Sequence, residues 1–206
     1  MRGILRKDSG RGDIAMLTRL RARLAGVLDS IAAPLSAISA NYYTILGLVL
    51  ASLFPFIVQY NLWLGILVLL LSGFFDAIDG AVARKRGEAS RLGSFIDSLS
   101  DRIADILYSY GFLLIGYPAS LVLGVISLSL LISYVRSKYE ALLGSSMEGV
   151  GIMERADRII ALSLILLIDC LLGRQAAILA YIVFLFLLAT TLAQRVKVSY
   201  DILTRN

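Results

Sequence analysis

The chain has 206 residues, of which 58% are hydrophobic and 17% are charged, whereas about 25% of the residues of soluble domains are charged. A mean hydropathy of +0.81 excludes a disordered chain and indicates an all-α integral membrane protein. In such a protein the basic residues behind the net charge of +5 are expected to orient the chain in the membrane and to bind phosphate groups rather than nucleic acid. Histidine is absent and Cys170 is the single cysteine, which excludes an internal disulfide and a thiolate metal cage and leaves carboxylates for any acid–base or metal chemistry.

Residues 1–33 are predicted to form a basic N-terminal segment that ends in an amphipathic helix. Residues 13–31 place apolar side chains such as Leu17 and Leu24 on one face, with Arg19 mainly on another, as in helices that lie in the membrane interface. The segment lacks the continuous apolar stretch of a signal peptide. We expect Pro34 to end this helix and residues 34–206 to form one transmembrane domain.

Six apolar segments follow, and each is close to the length of about 20 residues that spans a bilayer as a helix. They cover residues 38–60, 62–83, 93–117, 121–143, 156–172 and 176–193. The fold class predicted is therefore a bundle of six transmembrane helices with an interfacial N-terminal helix.

The distribution of Lys and Arg predicts the orientation in the cell membrane. With the N-terminus inside, the inside loops are 84–92, 144–155 and the chain beyond 193, and only Arg174 lies near an outside turn. Because cytoplasmic loops carry an excess of basic residues, both termini and the segment 76–101 are expected at the cytoplasmic face.

Two pairs of aspartates are the most informative polar residues. Asp76 and Asp79 are three residues apart, and Asp97 and Asp101 are four apart, so each pair lies on one helical face. Since the connection between the two helices is short, the pairs converge at one end of the bundle. Four carboxylates form a site for Mg²⁺ or Mn²⁺, and two ions are plausible. The alternative is a set of interface charges paired with nearby arginines.

The spacing of these residues resembles a known family signature. Asp76-x2-Asp79-Gly80-x2-Ala83-Arg84-x8-Gly93-x3-Asp97-x3-Asp101 is similar to the motif of the CDP-alcohol phosphotransferases. The resemblance implies a six-span enzyme, expected to be a homodimer, that displaces CMP from a CDP-linked alcohol with a second alcohol's hydroxyl at the membrane surface.

The resemblance also implies roles for the residues of the motif. Asp76, Asp79 and Asp97 would be metal ligands. Asp101 would complete the metal site and is the candidate general base, although a carboxylate beside a metal is a weak base and Asp101 would then mainly orient the nucleophile. The residues expected to line the CDP site are Gly80, Ala83, Arg84 and Gly93.

A second family feature lies at the start of the first span. Relatives often carry Pro-Asn-x-x-Thr there, and this chain has Asn41 and Thr44 but Ala40 where proline is common. The resemblance places Asn41 and Thr44 at the nucleotide. The alternative is a polar helix start with Asn41 as the N-cap.

The acceptor alcohol is predicted from the remaining basic residues. The stretches "SYVRSKYEA" and "GIMERADR" resemble those of phosphatidylinositol-phosphate and archaetidylinositol-phosphate synthases, which implies inositol phosphate as acceptor and CDP-diacylglycerol or CDP-archaeol as donor. The residues expected at the acceptor's phosphate are Arg136, Arg155 and Arg195, with Lys138 and Arg158 as substitutes.

Two alternatives stay open at this point. The acceptor could be glycerol phosphate or serine, or the chain could be a cation transporter whose acids line an ion path. The transporter is disfavoured because the acids are confined to one face and two helices. Asp169, near the outer end, is expected to pair with Arg174. Glu88 is predicted to be a solvated loop residue and Arg86 a topology anchor.

Overall fold

The computed structural model describes residues 30–88, 90–147 and 149–204, and this part of the chain is helical without strands. Residues 30–35 are helical, and the interfacial helix predicted over 13–31 lies almost wholly outside the described residues. Six long helices follow: α1 Ala40–Tyr60, α2 Leu62–Arg86, α3 Arg91–Leu114, α4 Ala119–Leu143, α5 Arg155–Leu172 and α6 Arg174–Leu203.

Local signals explain where several helices begin and end. Asn61 separates α1 from α2 with an extended backbone, and its side chain accepts hydrogen bonds from the amides of Trp63 and Leu64. Gly87 and Gly144 end α2 and α4 in the left-handed region, with φ of 66° and 62°, which glycine adopts without strain. The sixth helix continues well beyond its predicted end at residue 193, because no glycine or proline interrupts the polar turns that follow.

Four of the six helices, α1, α2, α4 and α6, are long and apolar enough to cross a membrane. The other two are more highly charged: α3 carries three aspartates, and the 18 residues of α5 include two acidic and two basic side chains. Three of these charges, Asp105 of α3 and Arg158 and Asp169 of α5, are buried inside the protein, as is usual for charges within membrane proteins. The all-helical membrane fold is confirmed, and the count of six spans stays a prediction.

The helices pack so that α1 lies against both α2 and α3, α2 contacts α5, and α6 contacts α4 and α5. A buried polar cluster joins the first three helices. The Ser72 hydroxyl of α2 donates to the Gly47 carbonyl of α1 at 2.6 Å and lies 2.6 Å from the Tyr108 hydroxyl of α3. A Cβ at Gly47 would lie 3.3 Å from the Ser72 carbonyl oxygen, so the glycine permits close packing of α1 on α2.

The end of the bundle remote from the aspartate pairs is held by a second polar cluster. Arg174 at the start of α6 pairs with Asp169 of α5 at 2.9 Å, which confirms the predicted ion pair. Tyr117 donates to Asp169 at 3.2 Å, and the Arg174 guanidinium lies 4.7 Å from the Tyr117 ring centroid. These contacts link the α3–α4 turn to α5 and α6.

Candidate active site

Three of the four predicted metal ligands converge at one end of the bundle. Asp76 lies in the second half of α2, and Asp97 and Asp101 lie in the first half of α3. Carboxylate oxygens of these three residues lie within 4.8 Å of one another. The short connection between the two helices brings Asp76 close to Asp97 and Asp101.

Asp79 takes a different position from the other three aspartates. Its side chain is buried, and its Oδ2 accepts a hydrogen bond of 2.6 Å from the Thr44 hydroxyl of α1. Asp79 therefore joins α2 to α1 and is not part of the three-carboxylate group.

The guanidinium of Arg155 is the principal positive charge beside the carboxylates. Its Nη1 contacts Asp76 and lies 2.8 Å from Asp101 Oδ1. Arg102 contributes more weakly, with 3.6 Å between its Nη1 and Asp101 Oδ2. Because uncompensated charges of one sign repel strongly at these distances, Arg155 stabilises the cluster. The sequence predicts Arg155 at the acceptor's phosphate, whereas in the structure Arg155 lies between the carboxylates and a cavity.

The donor set suits a divalent cation. Mg²⁺ and Mn²⁺ prefer carboxylate oxygen, and an octahedral Mg²⁺ with ligands at about 2.1 Å has opposite ligands about 4.2 Å apart. The three carboxylates lie within 4.8 Å of one another, which is close to this separation. The residues present therefore fit the metal that the motif implies.

A cavity of about 490 Å³ opens between the start of α1, the end of α2 and the start of α3. We call it the α1–α3 cavity. It is lined by all the residues that sequence analysis assigned to the nucleotide: Asn41, Thr44, Gly80, Ala83, Arg84 and Gly93. The alternative role of Asn41 as a helix cap is wrong, because Ser39 is the N-cap and the helix begins at Ala40. Sequence analysis missed Ser39, Ser90 and Ser94, which also line this cavity.

The prediction that Glu88 is only a solvated loop residue is wrong. Its Oε1 accepts from Arg86 Nε at 2.6 Å, and its Oε2 accepts from the Ser39 hydroxyl and the Ala40 amide. The hydrogen bond from Arg86, followed by those from Ala40 and Ser39, lowers the pKa of the Glu88 carboxyl below its ordinary value. Arg86 also donates to the Ser36 carbonyl at 2.6 Å. The contacts of Glu88 with Ser39 and Ala40, and of Arg86 with Ser36, join residues about fifty positions apart, so no local sequence pattern predicts them.

A second cavity, of about 320 Å³, lies between α3, α4, α5 and α6. We call it the arginine cavity. Its arginines are Arg102, Arg136, Arg155, Arg158 and Arg195. Four of these were predicted at the acceptor's phosphate. Lys138, the fifth predicted residue, is exposed and does not line the cavity, because α4 turns it to the outside.

Contacts within the protein hold these arginines in place. Arg158 Nη2 lies 2.7 Å from Asp105 Oδ2, and both side chains are buried. Arg195 donates to the carbonyls of Val150 and Ile132 at 2.9 and 3.0 Å. Asp105 was missed by sequence analysis, although it lies one helical turn after Asp101 and continues the same face of α3.

The two cavities meet at the carboxylates. Ser94 and Asp97 line both of them, so the first turns of α3 form the wall that the cavities share. A group bound in one cavity therefore approaches a group bound in the other beside Asp97. This arrangement suits a transfer between two bound molecules, since positioning two reactants removes much of the entropic barrier.

The chain is similar to proteins of known activity. The family model described as CDP-alcohol phosphatidyltransferase matches residues 37–194. The archaetidylinositol phosphate synthase of Aeropyrum pernix is 38% identical over 160 residues, which are 76% of this chain and 82% of that protein. The phosphatidylinositol phosphate synthase of Cutibacterium acnes is 36% identical over 157 residues, which are 70% of this chain and 74% of that protein.

The fold is also similar to that of a solved membrane enzyme. The phosphatidylinositol phosphate synthase of Mycobacterium tuberculosis with CDP-DAG bound matches with a TM-score of 0.68 and 26% identity, over 84% of this chain and 94% of that one. Its complex with manganese and citrate matches with a TM-score of 0.66 and 26% identity, over 84% of this chain and 88% of that one.

Proposed function

The chain belongs to the CDP-alcohol phosphatidyltransferase family, and from this premise we propose that it transfers the lipid-linked phosphoryl group of a CDP-lipid to inositol phosphate and releases CMP. As a member of this family it is a multi-pass membrane enzyme. Family membership also argues against the cation transporter that the sequence left open. The lipid is CDP-diacylglycerol or CDP-archaeol, both of which present the same nucleotide to the protein.

The observation that carries this proposal is the meeting of the two cavities at Asp97. The α1–α3 cavity has room for a nucleotide and contains Arg84, whose guanidinium suits a phosphate oxygen. The arginine cavity suits an acceptor that carries a phosphate of its own, rather than a neutral alcohol or serine. The two substrates would meet beside the carboxylates.

Asp76, Asp97 and Asp101, together with Asp79 from the motif, would hold the divalent metal, for which we propose two ions of Mg²⁺ or Mn²⁺. Bound there, the metal would supply positive charge that neutralises the pyrophosphate and the departing CMP. Asp79 is the ligand that the geometry supports least, because its carboxylate accepts from Thr44.

In the proposed reaction the acceptor's hydroxyl oxygen forms a bond to the lipid-linked phosphorus as the bond to the CMP oxygen breaks. Asp101 lines the arginine cavity and not the α1–α3 cavity, so it lies on the acceptor's side. We assign to it the orientation of the hydroxyl and the acceptance of its proton. Arg155, which contacts Asp101 at 2.8 Å, keeps that carboxylate in place.

The test is CMP release from CDP-diacylglycerol and CDP-archaeol with three acceptors in turn: inositol phosphate, glycerol phosphate and serine. We expect turnover with inositol phosphate to exceed that with the other two by at least about tenfold, the difference that roughly 1.4 kcal/mol of selective binding produces. A preference for glycerol phosphate or serine would overturn the assignment of the acceptor but not of the family reaction.

A matched pair of variants tests the arginine cavity. Arg195→Gln is expected to raise the KM for inositol phosphate far more than the KM for the CDP-lipid, because Arg195 lines only the acceptor's cavity. Lys138→Gln, an exposed cation on the outside of α4, is the control. Equal effects of Arg195→Gln on both KM values would argue against the assignment.

We also propose the arrangement of the whole enzyme in the membrane. Residues 34–206 form the catalytic domain with six spans, and residues 1–33 form an interfacial anchor. Both termini and the active site face the cytoplasm, as the distribution of basic residues indicates. The enzyme is expected to act as a homodimer, which chemical cross-linking in native membranes would test.

A further inference from the structure

Glu88, in the short connection between α2 and α3, is bonded to the start of α1. Its Oε2 accepts from the Ser39 hydroxyl at 3.0 Å and from the Ala40 amide at 3.2 Å. Its Oε1 accepts from Arg86 Nε at 2.6 Å. Both carboxylate oxygens are therefore used, and residues almost fifty positions apart in sequence are joined directly.

These contacts supply what the start of α1 lacks. The first amides of a helix have no partner within the helix, and the positive end of the helix dipole favours a negative charge. The N-cap Ser39 makes no side-chain cap hydrogen bond, and its hydroxyl donates to Glu88. The carboxylate of Glu88 thus performs from another segment the task that an N-cap side chain usually performs locally.

The same contacts border the α1–α3 cavity. Ser39, Ala40 and Glu88 line it beside Asn41 and Thr44. The first turn of α1 is one wall of this cavity, and the end of α2 and the start of α3 form the opposite wall. The separation of the two walls depends on the contacts between the start of α1 and the α2–α3 connection. Glu88 supplies such contacts through its hydrogen bonds to Ser39 and Ala40.

We propose that Glu88 is a positioning residue for the CDP group: its carboxylate holds the start of α1 against the α2–α3 connection and so fixes the width of the α1–α3 cavity. Glu88 acts through α1 and does not touch the reacting atoms. The inference rests on the proposed function in one respect, namely that the CDP group of the lipid occupies this cavity.

Glu88→Gln keeps the size of the side chain and removes its charge. We expect the KM for CDP-diacylglycerol to rise about tenfold, the equivalent of losing one hydrogen-bonded charge contact. The KM for inositol phosphate and kcat should change less than twofold, since the arginine cavity is lined by other residues. Asp201→Asn, which removes an acid that lines neither cavity, is the matched control.

A double-mutant cycle distinguishes this role from a general loss of stability. Ala40 is the first residue of α1, where proline fits a helix, and the extended backbone of Ser39, with ψ of 145°, suits the residue before a proline. Ala40→Pro therefore removes the amide donor to Glu88 without breaking the helix. We expect Glu88→Gln to raise the KM for CDP-diacylglycerol less in the Ala40→Pro background than in the wild type.

Two results would overturn the inference. One is additivity of the two substitutions in KM for CDP-diacylglycerol, which would mean that Glu88 does not act through the start of α1. The other is a Glu88→Gln enzyme with a lower Tm but an unchanged KM, which would make the contacts merely structural.

Binding of CDP alone in the presence of Mg²⁺ separates this inference from the proposed reaction. If inositol phosphate is not an acceptor but Glu88→Gln still weakens CDP binding about tenfold, the acceptor assignment fails and the role of Glu88 stands. If inositol phosphate is an acceptor and CDP binds the Glu88→Gln variant normally, the role of Glu88 fails and the proposed reaction stands.

Discussion

Single residues of α3 divide the candidate active site between its two cavities. Asp97 lines both cavities, whereas Asp101, one helical turn further along, lines only the arginine cavity. Their difference in position supports the different roles proposed for them, with Asp97 at the junction of the two cavities and Asp101 in the cavity proposed for the acceptor. Arg155, which contacts Asp101, supplies compensating positive charge.

We expect Asp97→Asn and Asp101→Asn each to lower CMP release by at least about 100-fold, in line with the loss of a metal ligand or of a positioned proton acceptor. The amides keep the shape of the side chains, so thermal unfolding in detergent should show folded protein. Asp201→Asn serves as the control. Near-normal turnover of a folded Asp97→Asn or Asp101→Asn enzyme would contradict the active site described above.

Two glycines allow a comparison between space for a ligand and space for packing. A Cβ at Gly80 would meet only Arg84 Nη1, at 3.5 Å, whereas a Cβ at Gly111 would overlap the ring of Phe54. Gly80→Ala is therefore expected to leave Tm unchanged and to raise the KM for the CDP-lipid, because the methyl group enters the α1–α3 cavity. Gly111→Ala is expected to destabilise the fold by about 1–3 kcal/mol through overpacking. A Tm loss for Gly80→Ala as large as that for Gly111→Ala would show that Gly80 serves packing.

At the scale of helices, α3 carries two of the three clustered carboxylates and lines both cavities. It meets α2 through the hydroxyls of Ser72 and Tyr108, and it meets α5 through the buried pair of Asp105 and Arg158. This pair lies one turn below Asp101 and keeps Arg158 on the wall of the arginine cavity. Asp105 and Arg158 thus compensate each other's charge inside the bundle, where an unpaired charge would be costly.

Asp105→Asn is expected to destabilise the protein by about 3–5 kcal/mol, because Arg158 would remain buried without its counter-charge. The double variant Asp105→Leu with Arg158→Met removes both charges and should recover most of that loss. Thermal unfolding in detergent measures both values. If Asp105→Asn unfolds at the temperature of the wild type, the pair does not hold α3 to α5.

At the scale of the whole molecule, the helix ends separate into two polar regions. The start of α1, the α2–α3 connection and the start of α5 meet at the carboxylate end, and the α3–α4 turn and the start of α6 meet at the Asp169–Arg174 end. The basic residues are concentrated at the first of these ends. The distribution predicts that the carboxylate end faces the cytoplasm.

Single-cysteine labelling measures this orientation. In a Cys170→Ser background, Ser145→Cys introduces a thiol after α4 at the carboxylate end, and Tyr60→Cys introduces one at the other end; both positions are exposed. A membrane-impermeant maleimide should label Ser145→Cys in inverted vesicles and Tyr60→Cys in right-side-out vesicles. The reverse pattern would contradict the proposed orientation.

The sequence alone predicted the helices well. Apolar segments and turn residues act locally, so five of the six helices begin and end within a few residues of the prediction. The length of the sixth helix was underestimated, since hydropathy reports where a helix leaves an apolar environment and not where its backbone hydrogen bonding ends. The more highly charged α3 and α5 are not among the four helices that are apolar enough to cross a membrane, so the count of six spans stays a prediction.

The carboxylate motif was also within reach of the sequence, because residues three or four apart on a helix share a face whatever surrounds them. Only the tertiary structure decided which distant residues meet. It placed Arg155 between Asp76 and Asp101, bonded Glu88 to the start of α1, and joined two cavities at Asp97. These contacts depend on how helices far apart in the chain pack together, and helical periodicity carries no information about that packing.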